Sequence, residues 1–306
     1  MDTATAHVIL YGILVFSGIS GNIVVLMMII SSAMENHYIP PSDVILMNLC
    51  AISLLLSFFR NIWLFIEDLG FSIRLSYNGC KAFMLIWVWL RTVNVWATFC
   101  MSFFHFLNIR SQHFKTAQKR KKINNVGLSI TIIWAFNLLY AIPAYVYSSH
   151  NSDNDTEVLM VMSSSTRPLL GCVWDFPTQK SGIAYAMATL VIHEITPIFL
   201  MGVINFNNIA ILNHHIRAVR TENMVSQFAA ERRATKVILV LVMLFVLCWG
   251  SNVFAVNYYN YNRGHSAMPA LILANFAASI FIGFSPLILV MGHTKLRNRL
   301  KKMFSF

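Results

Sequence analysis

Seven long apolar runs, at roughly 8–31, 43–66, 81–109, 125–147, 182–212, 237–258 and 267–291, alternate with short polar segments along the chain. Each is long enough to cross a bilayer as a helix, which takes about 20 mainly apolar residues. The pattern predicts an all-α membrane protein: one domain over residues 1–306, folded as a seven-transmembrane helix bundle. The connections are short and leave no room for a soluble module. No internal repeat, half-and-half symmetry or low-complexity segment stands out. After the seventh run, Leu296, Leu300, Met303 and Phe304 recur at helical spacing with Lys and Arg between them. That spacing predicts a short amphipathic helix over about 293–304, lying on the inner leaflet.

The polar positions inside the runs carry the chemistry. An ionised side chain at a span centre costs about 2.5–3.5 kcal/mol on insertion scales, so it faces the bundle or a wet cavity. Arg60, Arg91 and Glu194 are such residues. Arg91 lies roughly 16 Å along the third helix from Cys80 at the ordinary rise, close to the midplane. Steps of three or four place Arg91, Asn94, Thr98, Ser102 and His105 on one face, with Trp87 and Met84 above them. This stripe puts the third helix at the bundle centre.

Glu194 is at similar depth in the fifth run, one turn above Pro197, where a kink is expected. Met187 and Leu190 continue its face outward, and Met201, Asn205 and Asn208 continue it inward. The carboxylate therefore needs a partner from another helix, and Arg91 is the candidate. His193 adjoins it but points about 100° away on a regular helix. Two arrangements fit these residues. One is a purely structural ion pair. In the other, Arg91 receives an anionic or acceptor group, and Glu194 or His193 takes a donor at the other end. The two coexist if a ligand competes with the pair. Asn94 and Trp87 complete the candidate ligand-binding set. Arg60, nearer the outer end of the second run, is expected to snorkel rather than to meet a ligand, which is its alternative role. Trp87, Trp89, Trp96, Phe83 and Tyr185 serve either as packing residues or as an aromatic pocket wall.

Charge adds orientation. The chain is 57% hydrophobic and only 11% charged, against about 25% charged in soluble domains. Its basic residues cluster around Arg110–Lys122, Arg217–Lys236 and Lys295–Lys302, whereas Glu67, Asp68, Asp153, Asp155, Glu157 and Asp175 occupy the alternate segments. Basic loops stay in the cytoplasm, so the N-terminus is expected outside and the C-terminus inside. No positive n-region precedes the first run, which is expected to act as its own insertion signal. The net charge of +11 then reads as topology and attraction to the anionic bilayer surface. No nucleic-acid partner is expected.

Five cysteines are present, and Cys50, Cys100 and Cys248 fall within runs. Cys80 and Cys172 both fall on the outer, oxidising side, and a disulfide between them is expected. Asn154-Asp155-Thr156 is the one N-x-S/T sequence, and as a glycosylation acceptor it agrees with an outer position. No metalloprotease, redox, nucleotide-binding or hydrolase motif is found, and no cofactor or catalytic site is expected. His214-His215 adjoin a basic inner loop and read as solvated rather than metal-binding.

Short motifs then carry a resemblance. Gly18-Ile19-Ser20-Gly21-Asn22, the Pro41–Leu49 entry to the second run, Phe284-Ser285-Pro286-Leu287-Ile288-Leu289 and His293-Thr294-Lys295-Leu296-Arg297 resemble those of vomeronasal type-1 receptors. Within the rhodopsin-type seven-helix receptors, the chain looks nearest the fish olfactory receptors related to class A. The third run ends His105–Arg110 without a D-R-Y triplet, Cys248-Trp249-Gly250 lacks the following proline, and Ser285-Pro286 lacks the N-P-x-x-Y tyrosine. Switches assigned to those motifs elsewhere do not transfer here. The resemblance implies a G protein-coupled chemosensory receptor for a pheromone or odorant. Arg91, not the resemblance, adds the expectation of a small molecule with an anionic or other acceptor group in the outer half of the bundle. The resemblance also implies an inhibitory-type heterotrimeric G protein, met by Arg110, Arg232, Arg233, Lys295 and Arg297. Bitter-taste receptors are the nearest rival, but they generally lack the outer cysteine pair. A transporter or channel is a further alternative, though it would be expected to show repeats.

Overall fold

A computed structural model describes residues 3–71, 73–110, 119–150, 169–218, 225–262 and 268–292. Seven helical spans result. They are α1 (Thr3–Asn36), α2 (Pro41–Asp68), α3 (Tyr77–Arg110), α4 (Lys119–Val146), α5 (179–218), α6 (Val225–Asn262) and α7 (Met268–Gly292). Six contain membrane-length apolar stretches, and α6 carries a shorter one, Leu239–Ala255. The expected amphipathic helix lies outside the described residues.

Local chemistry sets the ends. His37 turns the chain with φ 49 after α1. Pro40 is extended and Pro41 sits at the first turn of α2, where its missing N–H costs no hydrogen bond. Gly70 adopts φ 92 after α2, a conformation favourable for glycine. Thr178 and Ser181 form a reciprocal cap at the start of α5.

Two spans are not regular. In α2 a π turn, Ser57–Asn61, joins Pro41–Leu56 to Ile62–Asp68, and the Ile62 N–H reaches back to the Ser57 carbonyl. In α5 a π turn, Thr189–Ile195, joins Gln179–Ala188 to Thr196–Ala218, with the Thr196 N–H on the Val191 carbonyl. Pro197 explains the second. It has no N–H to give the His193 carbonyl, and the ladder ahead of it shifts by one residue. The irregularity therefore sits above the proline and spans Glu194, rather than lying one turn below it.

α3 is the enclosed centre: 67% of its apolar window is buried, against 17% in α4. Its polar stripe explains this placement, since Arg91, Asn94, Thr98 and Ser102 are all at most 2% exposed. α1 and α7 approach closely through glycine. A Cβ on Gly21 would come within 2.9 Å of the Pro286 side chain, and one on Gly283 within 3.2 Å of the Leu14 carbonyl. Asn22 donates to the Gly18 carbonyl at 2.7 Å and reaches the Ile282 carbonyl of α7 at 3.4 Å.

A small hairpin follows α4. β1 (Ser148–His150) pairs antiparallel with β2 (Cys172–Trp174), Ser148 opposite Trp174 and His150 opposite Cys172. Cys172 is disulfide-bonded to Cys80 near the start of α3. The loop is held at two further points: the Leu75 N–H donates to the Leu170 carbonyl at 2.9 Å, and the Leu170 N–H lies 3.4 Å from Glu67 Oε1.

Candidate functional site

Arg91 and Glu194 meet across the bundle. Arg91 Nε donates to Glu194 Oε1 at 3.0 Å and Nη2 donates to the same oxygen at 2.5 Å. α3 and α5 supply the two charges, and both side chains are almost wholly buried. Two α6 residues complete the guanidinium's surroundings. Asn252 Oδ1 lies 3.4 Å from Nη2, and the Trp249 ring centroid is 4.7 Å from the guanidinium carbon. Asn252 is oriented by its own amide N–H, which donates to the Ala274 carbonyl of α7 at 2.6 Å.

The arrangement leaves polar capacity unspent. Among the described residues, Glu194 Oε2, Trp249 Nε1 and both amide atoms of Asn94 are buried without a hydrogen-bond partner. Leaving such groups unmade is costly, more so where hydrocarbon replaces water. Glu194 Oε2 can take a donor from an incoming molecule, and the guanidinium can give to an acceptor. The Trp249 ring stacks on Phe245 at 5.4 Å and 12°, and Phe245 meets Phe281 edge-on at 5.0 Å.

The remaining candidates are placed as follows. Asn94 is buried three residues inward of Arg91. Trp87 is buried one turn outward, but its ring faces Arg60, at 5.2 Å, rather than Arg91. His193 is fully buried on the other side of the α5 π turn, where Nδ1 accepts from Trp96 Nε1 at 3.1 Å. His193 and Glu194 are both buried within the π turn. Arg110 ends α3, and Arg232 and Arg233 lie within α6, although their side chains are outside the described set. Asn154, Lys295 and Arg297 lie outside the described residues altogether.

Arg60 corrects a sequence expectation. It does not snorkel but is buried on the α2 π turn, with Nη1 3.3 Å from Asn61 Oδ1. Its guanidinium carbon lies 5.2 Å from the Trp87 ring centroid. Sequence reasoning also missed Trp249 and Asn252 as partners of Arg91. They lie three residues apart on one face of α6, a polar-aromatic pair in an apolar run, and that spacing was the available signal.

The family model described as 7 transmembrane receptor (rhodopsin family) matches residues 21–288. The chain is 42% identical to the Olfactory receptor class A-like protein 4 of Danio rerio, over 98% of this chain and 90% of that protein. It is 23% identical to the C-X-C chemokine receptor type 3 of Bos taurus, over 79% of this chain and 58% of that one. Against the Tachykinin-like peptides receptor 86C of Drosophila melanogaster it is 22% identical, over 81% of this chain and 47% of the relative. The chain belongs to the rhodopsin family of seven-transmembrane receptors, multi-pass plasma-membrane proteins that answer a ligand through a G protein and are not enzymes.

Proposed function

We propose that the chain is a chemosensory receptor of the olfactory, vomeronasal type-1-like branch, and that its ligand engages the Arg91–Glu194 pair. The observation that carries this reading is a mid-membrane ion pair bounded by Trp249 and Asn252 with one carboxylate oxygen unpartnered among the described residues. The name of the Danio rerio relative supports the olfactory assignment. The Cys80–Cys172 bond counts against the bitter-taste-type alternative.

The ligand is a small molecule with an acidic or other acceptor group for Arg91 and a donor for Glu194 Oε2. It competes with the pair, shifting Arg91 on the Trp249 face. Ligand and G protein then stabilise the same conformation, so each raises the other's affinity. The G protein is of the inhibitory type, the N-terminus is extracellular, and the basic inner clusters form the G-protein-facing surface. Asn154 carries glycan.

A ligand panel on cells expressing the receptor with a promiscuous G protein tests this, comparing matched acids, esters and amines. Acids are expected to be preferred, and Arg91→Ala to lower their potency roughly tenfold or more, the scale of a hydrogen bond to a charged group. Surface receptor is counted in parallel. Unchanged acid potency in surface-expressed Arg91→Ala would remove the pair from ligand recognition.

A further inference from the structure

The ligand reading uses only one side of the α5 π turn. On the other side His193 is 0% exposed, and its Nδ1 accepts from Trp96 Nε1 at 3.1 Å. An indole N–H can only donate, so Nδ1 carries no hydrogen and the imidazole's one N–H is at Nε2. Nε2 has no hydrogen-bond partner among the described residues. The nearby rings do not receive it edge-on either. Tyr140 is tilted 40° at 3.9 Å and Phe136 is stacked at 25° and 6.1 Å, whereas the perpendicular ring, Trp96, is on the Nδ1 side. The Nε2–H, which lies in the imidazole plane, therefore has no acceptor among the described residues.

A second such donor lies on the same wall. Trp174 of β2 is buried and its Nε1 has no partner among the described residues. Its ring is 5.3 Å from Tyr185, which stacks on Tyr140 at 5.3 Å and 15°. The hydroxyls are already committed: Tyr185 donates to the Tyr140 carbonyl at 3.0 Å, and Tyr140 pairs with Thr189 at 2.7 Å. Trp174, Tyr185, Tyr140, His193, Trp96 and Phe136 thus form one aromatic wall with two N–H donors that meet no acceptor among the described residues. Asn137 Oδ1, next to Phe136 in sequence, is likewise without a partner among them and makes no hydrogen bond to either donor. Phe136 is 53% exposed and Ile192 44%, so the wall borders the outside of the bundle, where apolar molecules arrive through the bilayer.

We propose that this wall is a second ligand site, distinct from the Arg91–Glu194 pair and not dependent on its role. It takes a neutral aromatic carbonyl compound whose oxygen accepts from His193 Nε2–H while its ring packs on Tyr140 and Phe136. No charge is neutralised there, so carboxylates are not its ligands.

The test uses the full chain in phosphatidylcholine nanodiscs with benzophenone, whose carbonyl is both a hydrogen-bond acceptor and the photoreactive group. Mass spectrometry maps the labelled residues. Acetophenone and ethylbenzene, near-isosteres differing by the oxygen, compete. Labelling is expected around Phe136, Tyr140 and Ile192, with acetophenone protecting about fivefold or more better than ethylbenzene, as one neutral hydrogen bond implies. Benzoate should not protect. His193→Phe should erase the acetophenone advantage, and His193→Gln, which keeps an N–H donor, should retain part of it. Labelling confined to Arg91, Trp249 and Asn252 would overturn the proposal. So would equal protection by the two competitors, which would mean that water alone satisfies the imidazole. The competitor comparison needs no variant, so it decides the matter even if His193→Phe does not fold.

Discussion

Glu194 and His193 are neighbours in sequence, share one π turn and are both buried, yet they do opposite work. Glu194 reaches across the bundle to an α3 cation and an α6 indole lies behind it. His193 joins a neutral aromatic group between α3, α4 and α5. The first contact is held by charge, and losing either partner strands the other in a medium that solvates ions poorly. The second is held by ring packing and single neutral hydrogen bonds, each a modest contribution. Similar burial therefore conceals very different sensitivity to substitution.

The charged side should break hardest. Glu194→Leu alone is expected to cost about 3–5 kcal/mol, because it leaves Arg91 buried without a counter-charge. The double variant Arg91→Leu/Glu194→Leu should recover most of that loss. Thermal unfolding in detergent and surface expression measure both, and a double variant as unstable as the single one would show that charge compensation is not what holds α3 to α5. Next comes the covalent anchor of the hairpin that carries Trp174. Cys80→Ser opens a bond spanning 92 residues and should cost about 2–5 kcal/mol, read in the same two assays.

The neutral side should respond less. Trp96→Phe keeps an aromatic ring but removes the N–H that His193 Nδ1 accepts, for a loss of about 1–3 kcal/mol from the unsatisfied group. Tyr140→Phe deletes only the hydroxyl paired with Thr189, and about 1 kcal/mol is expected. If Trp96→Phe matched Glu194→Leu in a melting experiment, the distinction between the two sides would collapse.

Much of the candidate site was legible in the sequence. Arg91 and Glu194 stood out because their cost in a span centre demands an inward face, and equal depth made them natural partners. The Arg91–Ser102 stripe placed α3 centrally for the same reason. Arg60 was misread because its nearness to the outer end of the run suggested a route to water, whereas it sits buried on the π turn at Ser57–Asn61. A hydrophobic pattern reports which residues avoid lipid on average, but it does not report where a helix loses register. Trp249 and Asn252 could not be assigned to Arg91 without knowing how α6 is rotated against α3.

The sequence by itself determined the class of protein, its seven spans and the residues whose burial needs an explanation. Each follows from local cost: apolar length against bilayer thickness, and charge against hydrocarbon. Only the tertiary structure decided which partners meet those needs. Arg91 faces Trp249 as well as Glu194, Arg60 turns inward to Trp87, and His193 and Glu194 both point inside from adjacent positions. The physical reason is that the rotation of each helix is set by packing among all seven spans. A change of one residue per turn moves a side chain by about 100°, from lipid to core.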